Sequence, residues 1–133
     1  MDTGSTITAG VVLLAVVTIA YGGTFVLRVV SGKQPANDLQ KSFFRAGHAH
    51  AGVLVILGLV VLLLMDAAAV AAPFRYAADG VLFSAILMPA GFFLSVIGRN
   101  PARPNGFIAL LWAGAALLAA SLVVGGIGLI RAG

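Results

Sequence analysis

The sequence predicts an all-α, integral membrane four-helix bundle of antiparallel up-and-down hairpins, forming one domain over residues 1–133. Three observations predict it. Hydrophobic residues make up 61% of the chain and charged residues 9%, against about 25% charged in an ordinary soluble domain. Mean hydropathy is +1.11. Four separate stretches are each near the roughly 20 apolar residues that cross roughly 30 Å of hydrocarbon. A soluble fold of this size cannot hide so much apolar surface, because much of any small fold stays exposed. The absence of cysteine removes a disulfide-stapled scaffold, and the hydropathy removes a disordered chain.

The four expected spans run from about Ile7 to Val30, Gly47 to Ala72, Val81 to Ile97, and Phe107 to Ile130. None alternates apolar and polar residues as a barrel strand does. In lipid each backbone group must pair internally, so the spans are helices. The segment before the first span carries Asp2 and no basic residue, unlike a cleavable signal peptide, so the first span is read as retained. Ser31-Gly32-Lys33-Gln34-Pro35 closes that span. Asn37 is positioned to cap a helix, with Gln40 three residues on as in a capping box. Residues 37–46 then form an interfacial helix or an extension of span two. Pro73 is expected to close span two and Asp79-Gly80 to precede span three. Pro89 lies inside span three, where it removes one hydrogen bond. Asn100 to Gly106 makes a short link between spans three and four, which forces adjacent antiparallel helices.

Charge sets the orientation. Arg28, Lys33, Lys41, Arg45, Arg99 and Arg103 fall on one side of the spans, and Arg75 and Arg131 on the other. The basic side is expected to be cytoplasmic and both termini outside. The net charge of +4 comes without a dense basic run, so nucleic acid is not an expected partner. Arg45, Lys41, Arg99 and Arg103 are expected to contact lipid headgroups at the inner face. Phe43, Phe44, Phe74, Tyr76 and Trp112 fall where aromatic anchors belong. A faint internal likeness relates Gly10-Val11-Val12 to Gly80-Val81-Leu82.

Small residues four apart mark helix contacts in lipid. Span four offers Ala115/Ala119, Ala116/Ala120 and Ser121/Gly125. Four helices are expected to give every span two neighbours within the bundle, with a homo-oligomer interface as the alternative use of these stripes.

No Lys, Arg, Glu or Asp falls mid-span, so no acidic ion pathway or voltage sensor is expected. The candidates for chemistry are His48 and His50. Residues two apart on a helix differ by about 200°, so one imidazole is expected to face the bundle and the other lipid, water or a partner. The pair cannot chelate one ion on a helix, where ligands sit three or four apart. Two readings stand. Either the imidazoles are interfacial, beside Arg45 and headgroup phosphates, or one ligates a haem or transition metal across a subunit interface. Met65 and Met88 are the available soft ligands, and Met88, about 10 Å deeper by helix rise, is the one placed to pair with His48 or His50. Asp66, near the outer end of span two, is expected to make an interfacial ion pair, with Arg75 across the turn as its available partner, or a water contact. No nucleophile–base pair or phosphate loop is visible, so an enzyme is not expected.

The run Phe44-Arg45-Ala46-Gly47-His48-Ala49-His50-Ala51-Gly52 resembles a family of small bacterial, actinobacterial-type four-span membrane proteins. The likeness extends to Ile86-Leu87-Met88-Pro89-Ala90-Gly91-Phe92-Phe93-Leu94-Ser95 and to Arg103-Pro104-Asn105-Gly106. The resemblance implies a multi-pass protein of the cytoplasmic membrane and no particular activity. Three functions fit the residues: a structural or accessory membrane protein that self-associates or joins other membrane subunits; a haem- or metal-binding redox protein using His48 or His50; and a small transporter or channel lined by Tyr21, Ser84 and Ser95.

Overall fold

A computed structural model describes all 133 residues. Its helices are α1 (Thr3–Val30), α2 (Asp38–Ala67), α3 (Ala77–Ser95) and α4 (Ile108–Ala132), with a 3-10 turn at Phe74–Tyr76 leading into α3. Each of the four is long and apolar enough to cross a membrane. There are no strands.

Local chemistry explains most helix ends. The Asp2 carboxylate accepts the Ser5 N–H at 2.7 Å and starts α1, earlier than the expected Ile7. Asn37 Oδ1 accepts the Gln40 N–H at 2.9 Å, and Gln40 Oε1 accepts the Asn37 N–H at 3.1 Å. That reciprocal box starts α2 at Asp38, so residues 38–46 extend span two and no separate interfacial helix forms.

Two further expected boundaries are corrected. Helix α2 stops at Ala67, not at Pro73. The Val70 N–H donates to Met65 O at 2.9 Å and the Ala69 N–H to Asp66 O at 3.1 Å, with Ala69 at φ 50°. These bonds make a Schellman closure. Its hydrophobic contact is present too, since Met65 and Val70 are buried in one cluster. Pro73 therefore follows the helix end without causing it. Asp79 and Gly80 do not precede α3 but lie in its first turns, because the 3-10 turn already starts the coil at Phe74.

The helices alternate in direction. Asp2, Asp66, Arg75 and Arg131 gather at one end, which we call the terminal end. The α1–α2 and α3–α4 links occupy the other, the loop end. Helices α2 and α3 form the centre, α4 packs on α3, and the backbone of α1 lies against α2 alone. The expectation of two neighbours for every helix fails for α1. One cluster, Val61, Leu62, Met65, Val70, Ala77, Ala78 and Val81, fills the terminal half. A second, Leu54, Val55, Ala85 and Met88, fills the middle. Close approach of α3 and α4 depends on glycine: a Cβ on Gly114 would lie 2.6 Å from Met88 Cγ and 3.0 Å from the Met88 backbone nitrogen.

Candidate functional site

At the loop end, the FRAGHAHAG run lies on α2, between α1 and α3. Phe44 stacks on Phe93 of α3 at 5.5 Å and meets Phe25 of α1 edge-on at 5.2 Å. Phe43 meets Phe92 edge-on at 5.6 Å. Such pairs add packing energy beyond area alone. Gly47 admits them, since a Cβ there would sit 2.8 Å from the Phe93 ring.

The two histidines do point apart, but both meet protein. His48 packs on Gly22 and Gly23 of α1; a Cβ on Gly23 would lie 3.2 Å from its Nε2. His50 lies against the Phe92 ring of α3 at 5.0 Å. The position of α2 between α1 and α3 gives each imidazole a protein contact, and both rings are only half-buried, so each keeps an exposed edge. His50 Nδ1 lies 2.8 Å from Ala46 O. A carbonyl only accepts, so Nδ1 carries a hydrogen in this contact and Nε2 is the ring nitrogen left without a protein partner. Because α2 begins at Asp38, the histidines sit about 15 Å along the helix and not at its mouth.

Met88 is buried beside Leu54 and Val55, its side chain against Gly114 of α4. By register it lies one turn beyond the Phe92–His50 contact, about 6 Å deeper than His50 and about 9 Å deeper than His48. No three His or Asp side chains converge closely enough to hold a metal ion. Arg45, Arg99 and Arg103 are exposed at the loop end, and Lys41 reaches Asp38 at 3.7 Å.

Beside these charges is a polar network that the sequence signals only through its Asn and Gln residues. Gln40 Nε2 donates to Val96 O and Gly98 O, both at 3.0 Å. Asn105 Nδ2 donates to Leu94 O at 3.0 Å, and its N–H to Ser95 O at 2.7 Å. Asn105 thus satisfies the last two carbonyls of α3, one through its side chain and one through its backbone, and Gln40 satisfies carbonyls just past the helix end.

The polar side chains at depth bond to their own helices: Thr18 to Ala15 O and Thr24 to Tyr21 O at 2.7 Å, Ser84 to Gly80 O at 2.8 Å. Tyr21 is 78% exposed on α1, whereas Ser84 and Ser95 are 0% and 1% exposed. The three do not face one path.

At the terminal end the expected Asp66–Arg75 pair is corrected. Arg75 pairs with the Asp2 carboxylate. Asp66 instead accepts the Met1 amine at 3.0 Å and the Asp2 N–H at 3.3 Å. Arg75 is drawn to the opening of α1 because Asp2, at its cap, stands over the same end of the bundle. The Ser5 N–H and then the Arg75 guanidinium hold the Asp2 carboxyl down at about 2. Arg131 lies over the Phe74 ring at 5.3 Å, a cation–π contact. Asp2, Ser5 and Thr8 recur three apart, and Arg75 and Asp79 four apart. That spacing was the available signal for a polar cluster here.

What this fold and site define is a class: an all-helical bundle of four helices, each long and apolar enough to cross a membrane. No protein-family model, curated protein or solved structure matches the chain.

Proposed function

We infer that the chain is a multi-pass protein of the cytoplasmic membrane that works as a structural or accessory subunit. It acts by helix association, with its own copies or with other membrane subunits, and not by catalysis. The observation that carries this reading is how α4 divides its small residues. Gly114, Ser121, Gly125 and Gly128 are buried against the rest of the bundle. Ala109, Ala113, Ala116 and Ala120 are exposed along another face. Lipid tails are as apolar as leucine, so association in a bilayer depends on close packing that small residues permit. The six basic residues at the loop end support placing that end in the cytoplasm.

Native mass spectrometry of the protein in lipid nanodiscs tests the reading. The expected result is a complex of two or more copies, or one copy with a retained subunit. Replacing Ala116 and Ala120 together with Leu is expected to release a monomer that melts as the wild type does. A wild-type monomer with no companion at native expression level would overturn it.

A second reading has one specific observation behind it. The Nδ1 donation of His50 is the arrangement by which a ligating imidazole is oriented, leaving Nε2 for a haem or transition metal shared across a subunit interface. Purified protein then carries a Soret band or stoichiometric metal that His50→Ala abolishes. Colourless, metal-free protein from cells replete in both would sink this reading.

A further inference from the structure

The single-neighbour docking of α1 leaves a groove between α1 and α3, floored by α2. Its volume is about 410 Å³, and Val12, Ala15, Ile19, Val55, Phe83 and Ile86 are among its walls. A second, polar cavity of about 290 Å³ lies at the terminal end, lined by Asp2, Ser5, Thr8, Arg75, Tyr76 and Asp79 among others. The two meet, because Thr8 and Asp79 border both. One chain therefore builds an apolar trough with a polar cup at its mouth.

We propose that this composite cavity binds one amphiphile, a lipid with an ammonium-bearing head, its acyl chain in the trough and its head in the cup. Length argues for a lipid chain over a partner helix. Along α1 the trough runs from Thr8 to Ile19, about 16 Å by helix rise. That is half of the roughly 30 Å hydrocarbon core, the depth of one leaflet. A spanning helix needs a groove of full length.

Charge selects the head. The trough by itself discriminates little, since a tail gains nothing hydrophobic by leaving other tails. In the cup, Asp2 and Arg75 neutralise each other. Asp66, nearby, is occupied by the Met1 amine. Asp79, exposed in the first turn of α3, forms none of the chain's three ion pairs and accepts no side-chain hydrogen bond. The cup therefore holds one uncompensated carboxylate. It attracts an ammonium, while a head with net negative charge is repelled. The Thr8 hydroxyl and the exposed Arg75 line the same cup beside it, for the phosphate of a zwitterionic head.

The site lies within one chain. It rests on the bilayer part of the proposed function and is independent of self-association. Alkaline carbonate extraction establishes insertion first. The full-length protein is then reconstituted in nanodiscs of equal parts phosphatidylethanolamine and phosphatidylglycerol, and retained lipid is read by native mass spectrometry, which reports oligomer size in the same spectra. The wild type is expected to retain one phosphatidylethanolamine per chain, roughly tenfold over phosphatidylglycerol, the size of one close charge contact. Asp79→Asn is expected to bring that ratio near one without altering the melting temperature. Ala15→Trp, which fills the trough away from the cup, is expected to reduce retention of both lipids. A wild type retaining the two lipids equally, or an Asp79→Asn protein with the ratio unchanged, overturns the proposal.

Discussion

The Asn37 side-chain amide donates to the Asn100 side-chain carbonyl at 2.9 Å, and also to Pro101 O at 2.8 Å. The same side chain caps α2 through its oxygen. One residue therefore starts the second helix and ties it to the α3–α4 link. Asn37→Ala is expected to lose about 1 kcal/mol of cap and about 1 kcal/mol more of hydrogen bonding. Asn37→Ser keeps a capping oxygen and loses only the donation. Thermal melts in detergent should rank wild type above Ser above Ala; a Ser variant melting as the wild type does would contradict the clamp.

Ala69 ends α2 in the left-handed region, at φ 50°. A side chain there costs roughly 1–2 kcal/mol, and glycine does not carry that cost. Ala69→Gly is expected to raise the melting temperature, with the Met65–Val70 contact kept. A lowered melting temperature would show that the turn is held differently.

Glycines on α4 differ by position. Gly114→Ala forces a Cβ against Met88 and is expected to cost about 1–3 kcal/mol by overpacking. Gly126 has nothing within 4 Å of a built Cβ, so Gly126→Ala is expected to be neutral or slightly stabilising in the isolated chain. The pair of melts compares two substitutions of identical chemistry.

Asp2 confers an acid-range dependence. Its carboxyl is lowered from 3.8 to about 2 in the folded chain, first by the Ser5 N–H and then by Arg75. A lowered folded value means that the ionised group stabilises the fold fully above pH 3.8, and that this stabilisation is lost as pH falls through about 2. Asp2→Asn keeps an oxygen for the Ser5 N–H and removes the charge that Arg75 meets. Its melting deficit should therefore be present at pH 7 and shrink across the range from 4 to 2. The pair is half-exposed, so the deficit should also weaken in high salt.

Because the chain has no cysteine, single-cysteine variants report orientation directly. Ala102→Cys in the α3–α4 link and Ala71→Cys near the terminal end are both exposed. In intact cells a membrane-impermeant maleimide is expected to label Ala71→Cys and to spare Ala102→Cys until the membrane is opened. The reverse pattern would invert the proposed topology.

Much of the framework was legible because it rests on local chemistry. The Asn37–Gln40 box is written in four consecutive residues, and it formed. The end of α2 was not legible. Proline is an obvious stop, but the chain turned earlier, where Val70 found a buried place beside Met65, and no local pattern marks alanine for a left-handed turn. The histidine pair shows the same division. Their divergence follows from helix geometry, whereas what each one touches depended on α2 lying between two other helices. Likewise, the signs of Asp66 and Arg75 promised a pair, but Asp2 reached the arginine from 73 residues away.

The sequence by itself determined that this protein is four apolar helices in alternating directions, with six of its eight basic residues at one end. Those properties depend on composition, span length and short caps, which neighbouring residues settle among themselves. Only the tertiary structure decided that α1 has one helical neighbour, that both imidazoles meet protein, and that a trough opens between α1 and α3 with Asp79 at its mouth. Each depends on which small residues let which helices come close. That contest is settled by side-chain volumes far apart in the chain, and a pattern along one helix does not record it.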